Sequence, residues 1–302
     1  MLGRVATFSE VSYLMQLNQS TAAASATAST QEASGLISTT YGGLGSSMST
    51  VLNVDNQITA LTADGTNATN SLSSMQETYS VLGNVTTLAT SMLSSLSSYM
   101  TSTTSSSSSV AASAATWLSE LTADANTQYA GSYLFSGTDS TTAPVDTSAS
   151  DYDPTAAPTT ADTSYYQGSS TGTTYTGSDG YTVATSVQAD SPGFEQMFRA
   201  LSMIIADPTD SSTLSAAYDL IQSGSSALTD VQSTLSTNTT ALTNYQTDAS
   251  DKVTTLTTLA TSLKDSDVAA ATVTVTSLNT QLEASYEAIS KMMSDSLAQY
   301  LS

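Results

Sequence analysis

The side chains that most often carry out chemistry are scarce in this chain of 302 residues. It contains no His and no Cys. The missing His removes the commonest general base and every Ser-His-Asp arrangement. The missing Cys removes thiolate nucleophiles and disulfides and, together with the missing His, the usual zinc ligands. These residue types predict a protein that is not an enzyme, with no catalytic residue, no cofactor and no metal site.

Carboxylates are the remaining candidates for chemistry, and two pairs are closely spaced. Asp265 and Asp267 could bind a divalent cation or act as paired acids, but two carboxylates are too few for a calcium site and no Glu stands at a suitable spacing. Because Asp is favoured at helix N-termini, we interpret this pair as a loop or a helix start. Asp151 and Asp153 lie in Pro-containing sequence and are interpreted as a solvated loop.

Two Ser-Lys pairs complete the search for a nucleophile. Ser290 precedes Lys291, and Ser262 stands two residues before Lys264. Both pairs lie in stretches whose apolar residues recur at helical spacing, so we interpret them as positions on packed helices. Glycosylation sequons such as Asn67-Ala68-Thr69 arise by chance in a chain so rich in Ser and Thr, and glycosylation stays open.

The net charge excludes two classes of partner. The chain has 5 Lys and Arg against 26 Asp and Glu, a net charge of −21. Nucleic acid binding and attraction to an anionic membrane both need a basic surface. The densest apolar run, Met197 to Ala206, is about half the ~20 residues that span a bilayer. The N-terminus lacks the apolar core of a secretion signal, so we expect no membrane insertion and, if the chain is exported, a route without a cleaved signal peptide.

The elements that must position these residues are predicted by a repeat of apolar residues. In the clearest stretch, steps of four and three alternate, which draws a narrow seam along a helix as in a coiled coil. Its members are Leu214, Tyr218, Ile221, Ser225, Leu228, Gln232, Leu235, Thr239, Leu242, Gln246, Ala249, Val253, Leu256, Ala260 and Leu263.

A second seam has steps of three and four, and its members are Leu72, Met75, Tyr79, Leu82, Thr86, Ala89, Leu93, Leu96 and Met100. Continuing its steps through the Ser/Thr run Thr101 to Ser109 gives Thr103, Ser107, Val110, Ala114, Trp117 and Leu121. We therefore predict one continuous helix that passes through this run and ends near Tyr129. Asp64-Gly65, ahead of this seam, is predicted to form a turn.

Between Gly137 and Ser191 the pattern changes to Pro, Gly and Tyr. Thr173 to Thr176 and Tyr181 to Ala184 flank Asp179-Gly180, which predicts a β-hairpin. The tyrosines could stack on sugars or peptides, although Tyr is also simply common in strands. They are Tyr152, Tyr165, Tyr166, Tyr175 and Tyr181.

Amphipathic stretches at both ends predict terminal helices that pair with each other or with neighbouring subunits, because unpaired ends fray. We predict a mainly α fold: an elongated antiparallel helical bundle or coiled coil, with paired terminal helices and a small β-rich inserted domain. The predicted parts are an N-terminal assembly helix, two halves of a bundle separated by a β-rich outer insert, and a C-terminal assembly helix: 1–40, 41–136, 137–193, 194–264 and 265–302.

Two stretches carry a resemblance to a known family. Gly131-Ser132-Tyr133-Leu134-Phe135-Ser136-Gly137-Thr138 resembles a signature of the flagellin superfamily, and of its hook–filament junction members above all. The region Asp265 to Ala271 and the helix Leu278 to Leu301, with Ala284-Ser285-Tyr286-Glu287-Ala288-Ile289, are similar to the C-terminal segment of that superfamily. The basic segment common near the N-terminus of the family is absent around Ser34-Gly35-Leu36, which leaves junction protein and filament flagellin both open.

The resemblance implies a structural subunit of the bacterial flagellum that self-assembles through its terminal helices. The partners it implies are further copies of the chain, hook-associated protein 1, flagellin, and an export chaperone at the C-terminal helix of a type III export system. The location it implies is extracellular. A different class of hypothesis is an adhesion module that uses the Tyr-rich insert. The residues we expect at the assembly interface are Val11, Leu14, Leu17, Leu278, Leu282, Tyr286, Ile289, Met293 and Leu297.

Overall fold

A computed structural model describes residues 2–101 and 107–301, with the side chains of residues 9–101 and 107–294. The predicted mainly α fold is confirmed. Within the described residues the α-helices are α1 (Leu2–Ser34), α2 (Met48–Thr101), α3 (Ser107–Ala125), α4 (Pro192–Ala206), α5 (Ser211–Lys264) and α6 (Val268–Leu301). A 3₁₀ helix, Tyr41–Ser47, precedes α2. None of the described helices is long and apolar enough to cross a membrane.

The strands are short and form two separate antiparallel hairpins. One consists of β1 (Gln128–Tyr129) and β2 (Ser132–Tyr133), the other of β3 (Thr174–Thr176) and β4 (Thr182–Ala184). The fold as a whole divides into two compact units. Unit 1 contains the chain up to Thr59 and from Lys252 onward, and unit 2 is Ala60–Asp251.

The seam predicted for α5 is confirmed along its whole length. Every one of its members from Leu214 to Leu263 is buried or half-buried. Ile221, Leu228 and Leu242 are fully buried in the core of unit 2. Since burying a Leu or Ile side chain contributes about 1.5–3 kcal/mol, packing along the seam offsets the poor helix propensity of the Ser and Thr between.

Helix α2 buries a wider face than its seam predicts. Val81, Val85 and Met92 are buried beside the predicted residues, whereas Tyr79 and Met100, both members of the seam, are 46% and 40% exposed. The core of unit 2 contains residues of α2, α3, α4 and α5 together. A helix with several neighbours buries more than the single stripe of a two-stranded coiled coil.

The prediction of one helix from Leu72 to near Tyr129 is wrong. The hydroxyls of Tyr99 and Ser113 are 2.8 Å apart, whereas two residues fourteen positions apart in a helix are separated by about 21 Å. The chain therefore reverses between α2 and α3, and α3 ends at Ala125. Two reasons account for the difference. Ser and Thr have low helix propensity, and the reversal of the chain lets α3 pack against α4. Residues 102–106, with the predicted seam member Thr103, lie outside the described part.

The turn predicted at Asp64-Gly65 is also wrong, because α2 continues through both residues. The Asp64 carboxylate is buried and accepts hydrogen bonds from the backbone N–H and the hydroxyl of Ser178 and from the hydroxyl of Tyr245. These contacts fix the backbone as helix where the Asp-Gly pair alone favours a turn.

The hairpin predicted around Asp179-Gly180 is confirmed. Tyr175 lies opposite Val183, and Gly180 has φ +85°, a conformation that suits Gly. The side chain of Tyr175 is buried and belongs to the same core as the helices of unit 2. The segment between the two bundle halves therefore shares its core with the helices.

Candidate assembly surface

Unit 1 is built on the first and last helices of the chain, which pack against each other in antiparallel directions. Ser25 donates to Asn279 Oδ1 at 2.8 Å. Thr272 donates to Glu32 Oε1 at 2.8 Å, and Ser285 donates to Asn18 Oδ1. The sequence alone does not decide whether the terminal helices pair with each other or with neighbouring subunits. In the structure of the single chain, α1 and α6 pair with each other.

The backbones of α1 and α6 approach closely, with Cα atoms of the two helices within 8 Å. Only Ala, Ser and Thr occupy α1 between Thr21 and Thr30, so little side-chain volume separates the backbones. The described side chains that are fully buried in this pair are few and mostly small. They are Asn18, Ser25, Ala28, Ala271 and Ile289.

The predicted interface residues fall on this helix pair, with different degrees of burial. Ile289 is buried, and Val11, Leu14, Leu278 and Leu282 are half-buried between the helices and solvent. Three more protrude: Leu17, Tyr286 and Met293 are 50%, 58% and 55% exposed. The side chain of Leu297 lies outside the described ones.

Sequence reasoning missed three exposed apolar residues on the same helices. Tyr13, Met15 and Val273 are 65%, 47% and 70% exposed. These residues lie outside the stripe of apolar residues at helical spacing from which the interface was predicted. Hydrophobic periodicity therefore could not identify them. We call these three residues, together with the exposed Leu17, Tyr286 and Met293 of the same two helices, the terminal apolar surface. Single exposed apolar residues are ordinary, whereas contiguous apolar patches are typical of interaction surfaces.

A short connection fixes the base of the helix pair. The N–H of Ile37 donates to the carbonyl of Lys264, and the N–H of Ser266 donates to the carbonyl of Gly35. Lys264 Nζ lies 2.9 Å from the nearer carboxylate oxygen of Asp55, which also accepts from the Tyr41 hydroxyl. The hydrogen bond from Lys264 holds the pKa of Asp55 below its usual range.

The nominal chemical sites have structural roles. Asp267 caps α6, since its carboxylate accepts from the N–H of Ala270 at 3.0 Å. Lys264 is paired with Asp55, and Lys291 lies 3.2 Å from Glu287. Within the described residues, no group of three or more acidic side chains is arranged to hold a metal ion.

The segment that carries the family resemblance makes the transition from α3 into the loops of unit 2. Ala130 and Gly131, with φ of 50° and 83°, form the tight turn between β1 and β2. Leu134 and Phe135 follow and are buried. Gly137 has φ +67°, and a Cβ there would lie 2.1 Å from the carbonyl oxygen of Ser169. The turn and the close approach explain why Gly stands at both positions.

The tyrosines of the insert serve packing. Tyr165 is fully buried, and its hydroxyl donates to the carbonyl of Ala189 at 2.7 Å. The Tyr166 and Tyr175 hydroxyls donate to the carbonyls of Ser169 and Asp64. Tyr181 stacks on Tyr245 with ring centroids 4.5 Å apart. These contacts give the four tyrosines a packing role inside unit 2.

A buried ion pair attaches the loops to α4. Arg199 donates two hydrogen bonds to the carboxylate of Glu195, at 2.8 and 3.0 Å, and a third to the carbonyl of Pro158. Glu195 also accepts from the N–H of Asp162. Both charges of the pair have a partner, as burial requires.

Comparison with known proteins supports the fold. No family model and no curated protein matches the chain. Two similar solved structures are a protein described as flagellar hook-associated, from Vibrio parahaemolyticus, and FlgL from Bacillus cereus. The first has a TM-score of 0.57 and 14% identity, over 72% of this chain and 96% of that one. The second has a TM-score of 0.50 and 13% identity, over 65% and 98%. The chain therefore has the fold of these flagellar hook-associated proteins.

Proposed function

We propose that this chain is a structural subunit of the bacterial flagellum that forms the junction between hook and filament. It assembles with further copies of itself through the terminal apolar surface on α1 and α6. The observation that carries the proposal is this surface, in a fold shared with hook-associated proteins. The subunit acts by packing and shape, on the outside of the cell, without chemistry of its own.

The exposed apolar side chains give the driving force for assembly. Each of Tyr13, Val273 and Tyr286 is more than half exposed in the single chain. Covering an apolar side chain of this size contributes about 1.5–3 kcal/mol when burial is complete. Contacts that repeat from copy to copy generate a ring where the rotation closes and a helical array where it does not. Four of the predicted interface residues, Val11, Leu14, Leu278 and Leu282, are half-buried on the same two helices and extend this surface.

The proposal has two further parts that rest on the family resemblance. The neighbours are hook-associated protein 1 on one side and flagellin on the other, and the C-terminal helix is the segment that an export chaperone holds before assembly. The five-part division assigns 1–40 and 265–302 to the inner layer, 41–136 and 194–264 to the bundle, and 137–193 to the outside.

Assembly is tested by substitution of the protruding residues. Leu17→Lys with Tyr286→Lys should abolish polymerisation while leaving the helix content and thermal midpoint of the monomer unchanged, because both side chains are half or more exposed. Tyr79→Lys is the matched control, since Tyr79 is 46% exposed in unit 2. Light scattering and electron microscopy give the readout. Normal polymers from the double variant would exclude the terminal apolar surface as the interface.

Truncation before Leu278 gives a second test. It removes most of α6, so the remaining chain should keep unit 2 folded and remain unassembled. A truncated chain that still polymerises would contradict assembly through the terminal helices.

Filament flagellin is the alternative within the same class, and gene deletion separates the two. Cells without the junction protein should secrete unpolymerised flagellin, whereas cells without a flagellin should lose filament mass and keep the junction. One of the two solved structures compared above is described as a flagellar hook-associated protein, which favours the junction.

A further inference from the structure

The contact between α1 and α6 is polar where a coiled coil is usually apolar. Three hydrogen-bonded pairs join the helices: Asn18 with Ser285, Ser25 with Asn279, and Glu32 with Thr272. We call these pairs the polar rungs. On α1 they are seven residues apart, which is two helical turns, and on α6 they are six and seven apart. All three therefore lie on the face that each helix turns toward the other.

Two of the rungs have a buried member on α1, whereas Asn279 and Thr272 on α6 are exposed. Asn18 and Ser25 are 7% and 8% exposed. The amide nitrogen of Asn18 is buried and has no hydrogen-bond partner among the described residues. A buried donor without an acceptor destabilises the fold, because it has given up its hydrogen bonds to water and gained none in return. The rung at Asn18 therefore contributes less stability than a rung whose polar atoms all have partners.

The apolar residues of the pair leave the alignment weakly defined. Ala28 and Ala271 are small, and the stretch Thr21 to Thr30 presents only Ser, Thr and Ala along α1. Along this stretch of α1, a slip of seven residues replaces one small residue by another, and the apolar change falls mainly on Ile289 of α6. Hydrogen bonds between defined partners are a further part of the interface that depends on the alignment.

We infer that the polar rungs set the register of the terminal helices. A slip of seven residues in one direction places Met292 opposite Asn18 and leaves a buried amide against an apolar side chain. The opposite slip places Leu278 against Asn18 and Asp265 beside Glu32, two like charges. Buried polar residues that fix register at a cost in stability are known from coiled coils. This inference concerns a single chain and does not depend on the proposed function.

The absence of Cys makes the register measurable with two introduced labels. Ala24→Cys and Thr280→Cys place spin labels at exposed positions on the same level of the two helices. Paired-spin resonance distances are measured on the monomer fraction of the full chain. A seven-residue slip moves one label by about 10 Å along the axis, which resolves the two registers.

The apolar variant combines Asn18→Leu, Ser25→Ala, Asn279→Leu and Thr272→Val in the labelled chain, which removes all three rungs. We expect a thermal midpoint no lower than that of the parent, together with two or more distance peaks about 10 Å apart in place of one. The matched control exchanges the partners, with Asn18→Ser, Ser285→Asn, Ser25→Asn and Asn279→Ser. It keeps all three rungs and should show the single peak of the parent.

Three results would overturn the inference. A single unchanged peak from the apolar variant would assign the register to the backbone connection between Gly35 and Ser266. A lower thermal midpoint in that variant would make the rungs a source of stability. Several peaks from the exchanged control would show that pairing between these positions is not what fixes the alignment.

Discussion

At the scale of single residues, Asp210 shows how a loop sequence begins a long helix. Asp210 immediately precedes α5, and its carboxylate accepts from the N–H and hydroxyl of Thr213 at 3.0 and 2.9 Å. The hydrogen bond from the Ser212 hydroxyl, followed by those from Thr213, lowers the pKa of Asp210 to about 2. A carboxylate with a lowered pKa stabilises the fold above the pKa of the unfolded chain, about 3.9, and loses this effect as the pH falls toward 2.

We therefore predict that Asp210→Ala lowers the thermal midpoint at pH 6 and that its difference from the parent shrinks between pH 4 and pH 2. Asp210→Asn should retain most of the midpoint, since Asn also caps helices. Thermal unfolding followed by circular dichroism across this pH range is the measurement. A difference that is constant with pH would mean that the ionised carboxylate is not the capping group.

The buried ion pair of α4 gives a second prediction at this scale. Arg199→Ala leaves the Glu195 carboxylate buried without its cation, so we expect it to lower the free energy of unfolding by about 3–5 kcal/mol. Replacing both residues, Glu195→Leu with Arg199→Met, should cost less than the single change because no unpaired charge remains. Urea unfolding of the two variants decides the order. A double variant less stable than the single one would show that the contacts to Pro158 and Asp162 dominate.

At the scale of elements, the turn after α3 depends on two glycines that differ in their surroundings. Both Gly131 and Gly137 have positive φ, but a Cβ at Gly131 meets nothing within 4 Å, whereas one at Gly137 overlaps the Ser169 carbonyl. We predict that Gly131→Ala costs about 1–2 kcal/mol, the penalty of a left-handed conformation. Gly137→Ala should cost clearly more, since a neighbouring backbone must move. Equal losses in urea unfolding would refute the packing role of Gly137.

The loop segment between α3 and α4 is part of a core, and this yields a fourth prediction. Val145, Tyr165 and Val187 are buried in the same cluster as Phe194 and Leu201 of α4. Replacing residues 137–191 by a short linker should therefore abolish cooperative unfolding of unit 2, measured by near-ultraviolet dichroism and limited proteolysis. A stable bundle after the deletion would show that the segment is dispensable and would return the adhesion hypothesis to consideration.

An element is predicted correctly from its sequence when the signal for it is regular and local. The seam from Leu214 to Leu263 and the hairpin around Gly180 are predicted correctly, because a period of seven and an Asp-Gly turn are local signals. The reversal after Thr101 escapes prediction, since the period continues through the Ser/Thr run. The helix through Asp64 escapes it because its cause lies far along the chain, in Ser178 and Tyr245.

The candidate surface is predicted only in part for a similar reason. Periodicity identifies the stripe that two helices share, so it points to Leu14, Leu282 and Ile289 at their contact. Tyr13 and Val273, which also protrude from the finished pair, stand outside the predicted stripes. The rungs escape prediction because polar residues on an amphipathic helix are assigned to its outer face.

At the scale of the whole molecule, the pairing of α1 with α6 has a consequence for the order of folding. Ser25 and Asn279 are 254 positions apart in the chain, so their contact closes a very long loop. Closing a loop costs more entropy the longer it is, and residues that have not yet left the ribosome cannot contribute. Unit 2 is contiguous in sequence and can form while the chain is still being made. The two helices can meet only after α6 has been synthesised, so the N-terminal segment of the newly made molecule remains without its partner until synthesis is nearly complete.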